Sequence, residues 1–225
     1  MISHPTVEAI AAHTQTVQSG EVECRLQRCP KCDQQSFGFK YHAWRARWFY
    51  VIVEDMVKRV RSAISRWKCG VCNKTFTLYP DFAVPYKRYV RQDLCRLSER
   101  YVFDDDLTYR KAVEIDRRAV FYDVPEGSRD AIDERALSHS TLHRWISFLG
   151  GLKQTLCQAW QLIRAKAPSC GLFRSSITVP ARKYRNEPRK DLLHTCGRFL
   201  QVDRAYGNLF EVSIFPHLAT GCHWS

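Results

Sequence analysis

The sequence predicts an α+β protein: a small antiparallel two-armed ribbon closed by four cysteines, followed by an all-α helical region with a helix-turn-helix-like element. Three observations lead there. Two Cys-x-x-Cys knuckles, Cys29/Cys32 and Cys69/Cys72, bracket a stretch of alternating apolar and basic residues. Beyond them, apolar residues recur at the spacing of amphipathic helices. The chain has 225 residues, is 45% hydrophobic and carries 35 Lys and Arg against 23 Asp and Glu. That content supports a core, and the net charge of +12 favours a polyanionic partner.

Residues 1–23 form an N-terminal extension without a basic start and long apolar run, so no secretory leader is expected. No apolar run reaches the ~18 residues of a spanning helix. The expected location is therefore cytoplasmic, away from membranes, where thiols stay reduced. Ten cysteines in a chain of this length then point to metal binding rather than to a disulfide framework.

The ribbon is expected over residues 24–89. Structural zinc takes four ligands in a tetrahedron, and each knuckle supplies two thiolates, so Cys29, Cys32, Cys69 and Cys72 are the expected Zn2+ ligands. Four thiolates leave no open coordination position, which makes the metal structural rather than catalytic. Redox chemistry would need only one pair, at the start of a helix after a strand. The competing reading is four unrelated buried thiols. Cys24 lacks the two-residue spacing, and the five remaining cysteines lie singly, as small buried residues do. Pro30 and Gly70 suit tight turns in the knuckles.

Between the knuckles, "WRARWFYVIV" (44–53) places Trp44, Ala46 and Trp48 on one face of a strand against Arg45 and Arg47 on the other. The second arm, 59–69, alternates Val60, Ser62 and Ile64 with Arg59 and Arg61, although Val57, Val60, Ile64 and Trp67 also fit a helix; a strand is expected. Pro80 and Pro85 mark an extended segment packed on the ribbon.

A helical, helix-turn-helix-like domain is expected over 90–167. Val90, Leu94, Leu97 and Tyr101 make its first apolar stripe, with Lys87, Arg88 and Arg91 among the cations around it. Asp104, Asp105 and Asp106 suit the start of a helix over 103–115, and 116–136 reads as a loop. Ser138 or Ser140 caps the next helix, which stops at Gly150 and Gly151. Leu142, Trp145, Ile146 and Leu149 point inward there, leaving Ser140, Thr141, His143 and Arg144 outward at its N-terminal half, the composition of a recognition helix. About 20 residues precede it where a helix-turn-helix has a turn of ~3–4. A cleaner helix covers 152–168, with Leu152, Leu156, Trp160 and Ile163 inward. The C-terminal region, 168–225, is basic (Arg182, Lys183 and Arg185 as a contact arm or solvated loop) and holds one helix, 189–202. His194, Cys196, Cys222 and His223 are too scattered to be favoured as a second metal set.

From "CPKC" through "RWKCGVCNKTFTLYPDFAVPYKRYV" the sequence resembles an uncharacterised bacterial zinc-ribbon domain family associated with insertion-sequence transposases. The resemblance covers residues 29–91. It rests on the two knuckles, the Thr-Phe after the second, and Pro80, Phe82, Pro85, Tyr86 and Tyr89. "STLHRW" (140–145) looks like the second helix of the helix-turn-helix that follows such ribbons in transposases. The resemblance implies a DNA-binding protein of a mobile element, an accessory or regulatory factor with double-stranded DNA and a transposase as partners.

The expected DNA contacts are Arg45, Arg47, Arg59, Arg61, Lys87, Arg88, Arg91, Ser140, Thr141, His143 and Arg144. No enzymatic activity is expected, because no phosphate loop, nucleophile elbow or metalloprotease motif is present and few carboxylates follow residue 150. Two alternatives remain. One is a subunit of a transposase of the three-carboxylate, two-metal type using Asp203 and Glu211. The other is an RNA-binding ribbon protein whose exposed Trp44 and Trp48 stack bases.

Overall fold

The computed structural model describes residues 7–26, 28–35, 38–123 and 136–215. The fold is mixed α+β, with a sheet and several helices. Among the described residues one compact unit draws on the chain up to residue 51, 59–91 and 213–215; the other takes 52–58 and 92–212.

The cysteine-bearing unit is built on strands β1 (Phe39–Val53), β2 (Met56–Cys69) and β3 (Thr75–Leu78), in the order β1-β2-β3. β1 and β2 form a hairpin through Glu54 and Asp55, and Glu54 takes the left-handed conformation at φ 56°. The strand reading of the second arm therefore holds over the helical one. Its alternation is broken at Ser62, Ala63, Ile64 and Ser65, all buried, ahead of the β3 pairing, where Trp67 sits opposite Phe76. Residues 79–90 are not simply extended: they fold through two turns, in which the Ala83 amide donates to the Pro80 carbonyl (2.9 Å) and the Lys87 amide to the Val84 carbonyl (3.0 Å), with Tyr86 at φ 64°. Only their end runs beside β1, where the Tyr50 amide donates to the Arg88 carbonyl (2.8 Å) and the Val90 amide to the Tyr50 carbonyl (3.0 Å). Phe82 from this segment meets Phe49 edge-on at 5.5 Å.

The N-terminal extension contains an element that the composition did not reveal, helix α1 (Val7–Ser19). Ile10 and Val17 are fully buried, and the Thr14 hydroxyl reaches the Ser62 hydroxyl of β2 at 3.0 Å. Ile10, Thr14 and Val17 lie at i, i+4 and i+7, one face of a helix.

The other unit contains α2 (Arg91–Phe103), α3 (Tyr109–Ala112), three short strands β4 (Glu114–Ile115), β5 (Arg118–Ala119) and β6 (Phe121–Tyr122), then α4 (His139–Gly151), α5 (Lys153–Lys166) and α6 (Glu187–Phe210). It is not all-α. β4 and β5 form a hairpin through Asp116 and Arg117, both at positive φ, and β6 runs parallel to the start of β2 at Met56 and Val57. The loop expected at 116–136 thus begins with strands, and residues 124–135 lie outside the described residues. The helix expected over 103–115 shrinks to α3, capped by Thr108, whose side chain accepts from the Lys111 amide. Asp104 accepts from the Asp106 amide at 2.9 Å instead, an Asx turn that competes with helix initiation.

α6 is the organising helix, about 36 Å long at 1.5 Å per residue and packed against α4 and α5. It outruns the expected 189–202 at both ends, from an Asn186 cap to a left-handed Glu211 (φ 58°). Its glycines mark close approaches. A Cβ on Gly197 would press Val102 at 3.1 Å and Ile177 at 3.2 Å, and one on Gly150 of α4 would overlap the Leu192 carbonyl.

Candidate metal centre and basic surfaces

The two knuckles fold alike because their sequences dictate the same turn. In the first, the Cys29 amide donates to the Gln34 carbonyl (3.0 Å) and the Asp33 amide to the Cys29 carbonyl (2.8 Å). In the second, Cys69 donates to Lys74 and Asn73 to Cys69, both at 3.0 Å. Asp33 and Asn73, each directly after its second cysteine, sit at φ 56° and 57°. Asp and Asn tolerate this left-handed conformation better than other side-chain-bearing residues. The residue that turns the second knuckle is Asn73 rather than Gly70, which is not among the glycines at positive φ.

These turns bring Cys29, Cys32, Cys69 and Cys72 together. All four sulfurs lie within 4.8 Å of one another, and Cys29 Sγ is 3.8 Å from Cys72 Sγ. A tetrahedron with ~2.3 Å metal–sulfur bonds has edges of about 3.8 Å, so the spacing fits a four-thiolate metal site. A disulfide would need sulfurs at ~2.05 Å, and the described cysteines are free. Cys29 and Cys69 are buried; Cys32 and Cys72 are half-buried. The amides of Cys72 and Val71 point at the Cys69 sulfur and draw its thiol down to about 7, while burial pushes the Cys29 thiol up. The Lys31 amide adds a donor to Cys29 Sγ at 3.4 Å.

Among the described residues this is the one grouping of three or more His, Cys, Asp or Glu donors that can hold a metal ion. Cys24 is not part of it. Cys196 is buried in α6, and Cys222 and His223 lie outside the described residues. Asp203 is buried in α6 with the Cys95 thiol 3.9 Å away, whereas Glu211 caps the end of that helix.

The basic residues divide into exposed and packed. Arg45, Arg59, Arg61 and Arg88 are exposed, and the Arg59 guanidinium lies over the Trp48 ring at 4.4 Å. Arg47 turns inward: it donates to the Tyr79 hydroxyl (2.8 Å) and the Lys87 carbonyl (3.1 Å) and covers the Tyr79 ring at 5.5 Å. Lys87 is half-buried. Arg91 is only 6% exposed, with its Nε on the Asp81 carbonyl at 3.2 Å. The face of β1 expected to be basic is thus partly the packed face, because residues 79–90 cover it. Trp44 and Trp48 turn to solvent, 42% and 44% exposed.

On α4 the cap is Ser138, and Leu142, Trp145, Ile146 and Leu149 are all buried as expected. Ser140, His143 and Arg144 are exposed and Thr141 is half-buried. Arg144 folds back on Ser140, at 3.2 Å to its carbonyl and 3.3 Å to its hydroxyl. His143 meets the Tyr109 ring at 5.6 Å, and Tyr109 in turn accepts from Arg189, a cation that spacing alone did not connect to α4. Burial holds the His143 imidazole below its ordinary value, and the nearby Arg189 charge adds to the effect. The run Arg182, Lys183 and Arg185 is no free arm: Lys183 caps the Tyr101 and Asp104 carbonyls at the end of α2, and Arg182 pairs with Asp106 at 3.1 Å.

Residues 29–145, more than half of the chain, match the family described as Domain of unknown function (DUF6431). The chain belongs to that family. The DUF6431 span takes in both knuckles, the hairpin between them and the first half of α4. No curated protein and no solved structure matches the chain. No helix among the described residues is long and apolar enough to cross a membrane.

Proposed function

We propose that the chain is a DNA-binding protein of a mobile element, an accessory or regulatory factor of its transposase, in which a structural zinc ion on Cys29, Cys32, Cys69 and Cys72 closes a zinc ribbon. The observation that carries this reading is a metal-ready four-thiol site at the end of a hairpin that presents Arg45, Arg59 and Arg61 to solvent. A four-cysteine donor set suits zinc, and the ion would supply folding energy rather than chemistry. Exposed guanidinium groups on a chain of net charge +12 suit a phosphate backbone. The resemblance of residues 29–91 to insertion-sequence-associated ribbons supplies the mobile-element part.

α4 contributes the second contact, as the reading helix of a helix-turn-helix-like element. Its exposed N-terminal half carries Ser140, His143 and Arg144, with Arg189 beside them across Tyr109. In this role Arg144 leaves Ser140 for a base edge, exchanging weak exposed bonds for a bidentate one. Arg47 and Arg91 drop out of the contact set because their guanidinium groups are held inward, on Tyr79 and the Lys87 carbonyl and on the Asp81 carbonyl. The protein binds and does not cut: the carboxylates proposed for a catalytic subunit, Asp203 and Glu211, stand in a buried helix face and a helix cap.

The test is an electrophoretic mobility shift with duplexes from the ends of the element and with unrelated duplexes, across a salt series. The metal-loaded protein is expected to bind both, the element ends more tightly, with affinity falling as salt rises. Arg144→Ala should weaken the element ends about ten-fold or more and unrelated duplexes far less. Absence of duplex binding at low salt would sink the reading, and equal losses on all sequences would remove α4 as the reading element.

A further inference from the structure

One face of β1 stays open for its whole outer half. Lys40, His42, Trp44, Ala46 and Trp48, every second residue, are all exposed, whereas on the opposite face Phe39, Tyr41, Ala43 and Arg47 are half-buried and Arg45 alone is exposed. Nine residues of strand span about 27 Å at ~3.3 Å each. The strip therefore sets Lys40 and His42 ahead of two indole rings, with Ala46 between the rings, over a length that a folded core would ordinarily cover. Arg59 of β2 shares it, since its guanidinium lies on the Trp48 ring at 4.4 Å, and Arg61, two residues on, points to the same face.

Exposed aromatic rings interleaved with cations have a specific physical use. Every base offers a π-face, but in a duplex both faces of each base are covered by its neighbours. Only an unpaired strand can lay bases on protein rings while its phosphates meet cations. Trp44 and Trp48 stand about 13 Å apart along the strand, some four stacking rises of 3.4 Å, so bases resting on both rings belong to a chain drawn out of its regular stack. The guanidinium plane of Arg59 extends the platform at Trp48, because bases stack on guanidinium groups as they do on rings.

We propose that this face of β1 binds single-stranded nucleic acid, with bases stacked on Trp44 and on the Trp48–Arg59 pair and phosphates held by Lys40 and Arg61. The occupant is chosen by charge: an apolar partner or a second copy of a strongly basic chain would have to accommodate Lys40, Arg59 and Arg61 at close range, and a polyanion meets them favourably. This inference rests on the nucleic-acid reading above and extends it from paired to unpaired strands, such as those exposed when a duplex end is opened.

The experiment measures fluorescence anisotropy of short labelled oligonucleotides with the full metal-loaded chain. One sequence is used as single-stranded DNA, single-stranded RNA and duplex DNA, against wild type, Trp44→Ala/Trp48→Ala and Trp44→Phe/Trp48→Phe. The alanine pair is expected to weaken single-strand binding about a hundred-fold, roughly ten-fold per ring, and duplex binding less than about three-fold. The phenylalanine pair keeps the rings and should retain most single-strand affinity, which also separates lost stacking from lost folding. The two single strands distinguish DNA from RNA as the source of the same chemistry.

Wild type that binds duplex but neither single strand overturns this inference and leaves the DNA-binding reading standing. Binding to none of the three overturns both. Equal losses on duplex and single strands, or unchanged binding with altered sedimentation in the alanine pair, overturns the stacking platform, the latter in favour of a contact between copies of the chain.

Discussion

Replacing Cys69 by Ser removes one of four sulfurs from a site already set for a metal. The distances give the expected magnitude. With every sulfur within 4.8 Å of the others and one pair at 3.8 Å, reaching a regular tetrahedral edge of about 3.8 Å needs shifts of no more than ~1 Å. The site is therefore preorganised, and its affinity should fall in the structural-zinc range of about 10–16 kcal/mol. Sharing that among four thiolates assigns ~3 kcal/mol to each, so Cys69→Ser should weaken binding by about a hundred-fold. Chelator competition with the purified chain measures this, with exposed Cys157→Ser as the control that should change nothing. Hydrogen exchange supplies a second readout: residues 28–35 close on themselves with few backbone bonds and should lose protection on chelation. A wild-type chain that takes up no zinc, or a Cys69→Ser chain that holds it equally well, would refute the reasoning.

Two further predictions concern stability. Gly150→Ala should destabilise the helical unit by about 1–3 kcal/mol, because the new methyl meets the Leu192 backbone and its Cγ at 2.7 Å. Gly151→Ala, with open space around it, should instead raise stability by a few tenths of a kcal/mol or more; thermal melts that move both variants the same way would contradict the packing. Burial holds the His13 imidazole below its ordinary value of 6.5, against a smaller raising effect of the Ala63 backbone and Asp81. The unfolded chain then takes up the proton first, so His13 contributes full stability above pH 6.5 and loses it as pH falls towards the folded value. Urea unfolding across that range should show a steeper acid loss in wild type than in His13→Gln.

The helices that were legible are those whose pattern is decided locally. Leu142, Trp145, Ile146 and Leu149 sit at i, i+3, i+4 and i+7 between a serine cap and a glycine pair, and α4 begins and ends where those residues put it. α6 was harder because its second half contains Asp203 and Gly207, residues that lower helix propensity, and both are buried there. Packing overrides propensity. α5 is turned slightly from its expected face: Leu152, Thr155, Ala159 and Ile163 are the buried set, since small Thr155 and Ala159 permit closer packing than Leu156 and Trp160 would. Aspartates 104–106 misled for a different reason, because their side chains bond the local backbone as readily in a turn as at a helix cap.

The four-cysteine cluster was legible for the same local reason, two knuckles of identical spacing, and the Asp or Asn after each second cysteine was a further signal of the turn. The basic and aromatic surface of β1 was only half legible. Alternation in "WRARWFYVIV" establishes which residues share a face of β1, but nothing in a period of two says which face is covered. That is decided some forty residues later by the segment of Pro80, Phe82 and Pro85, whose backbone bonds Tyr50 and whose Tyr79 and Lys87 receive Arg47. Once Arg47 is held against that segment, Trp44 and Trp48 on the other face turn to solvent. An apolar face left outward in a half-covered strand is a cost that the chain retains, and the Arg59 guanidinium over the Trp48 ring is the contact on which the proposed stacking role is built.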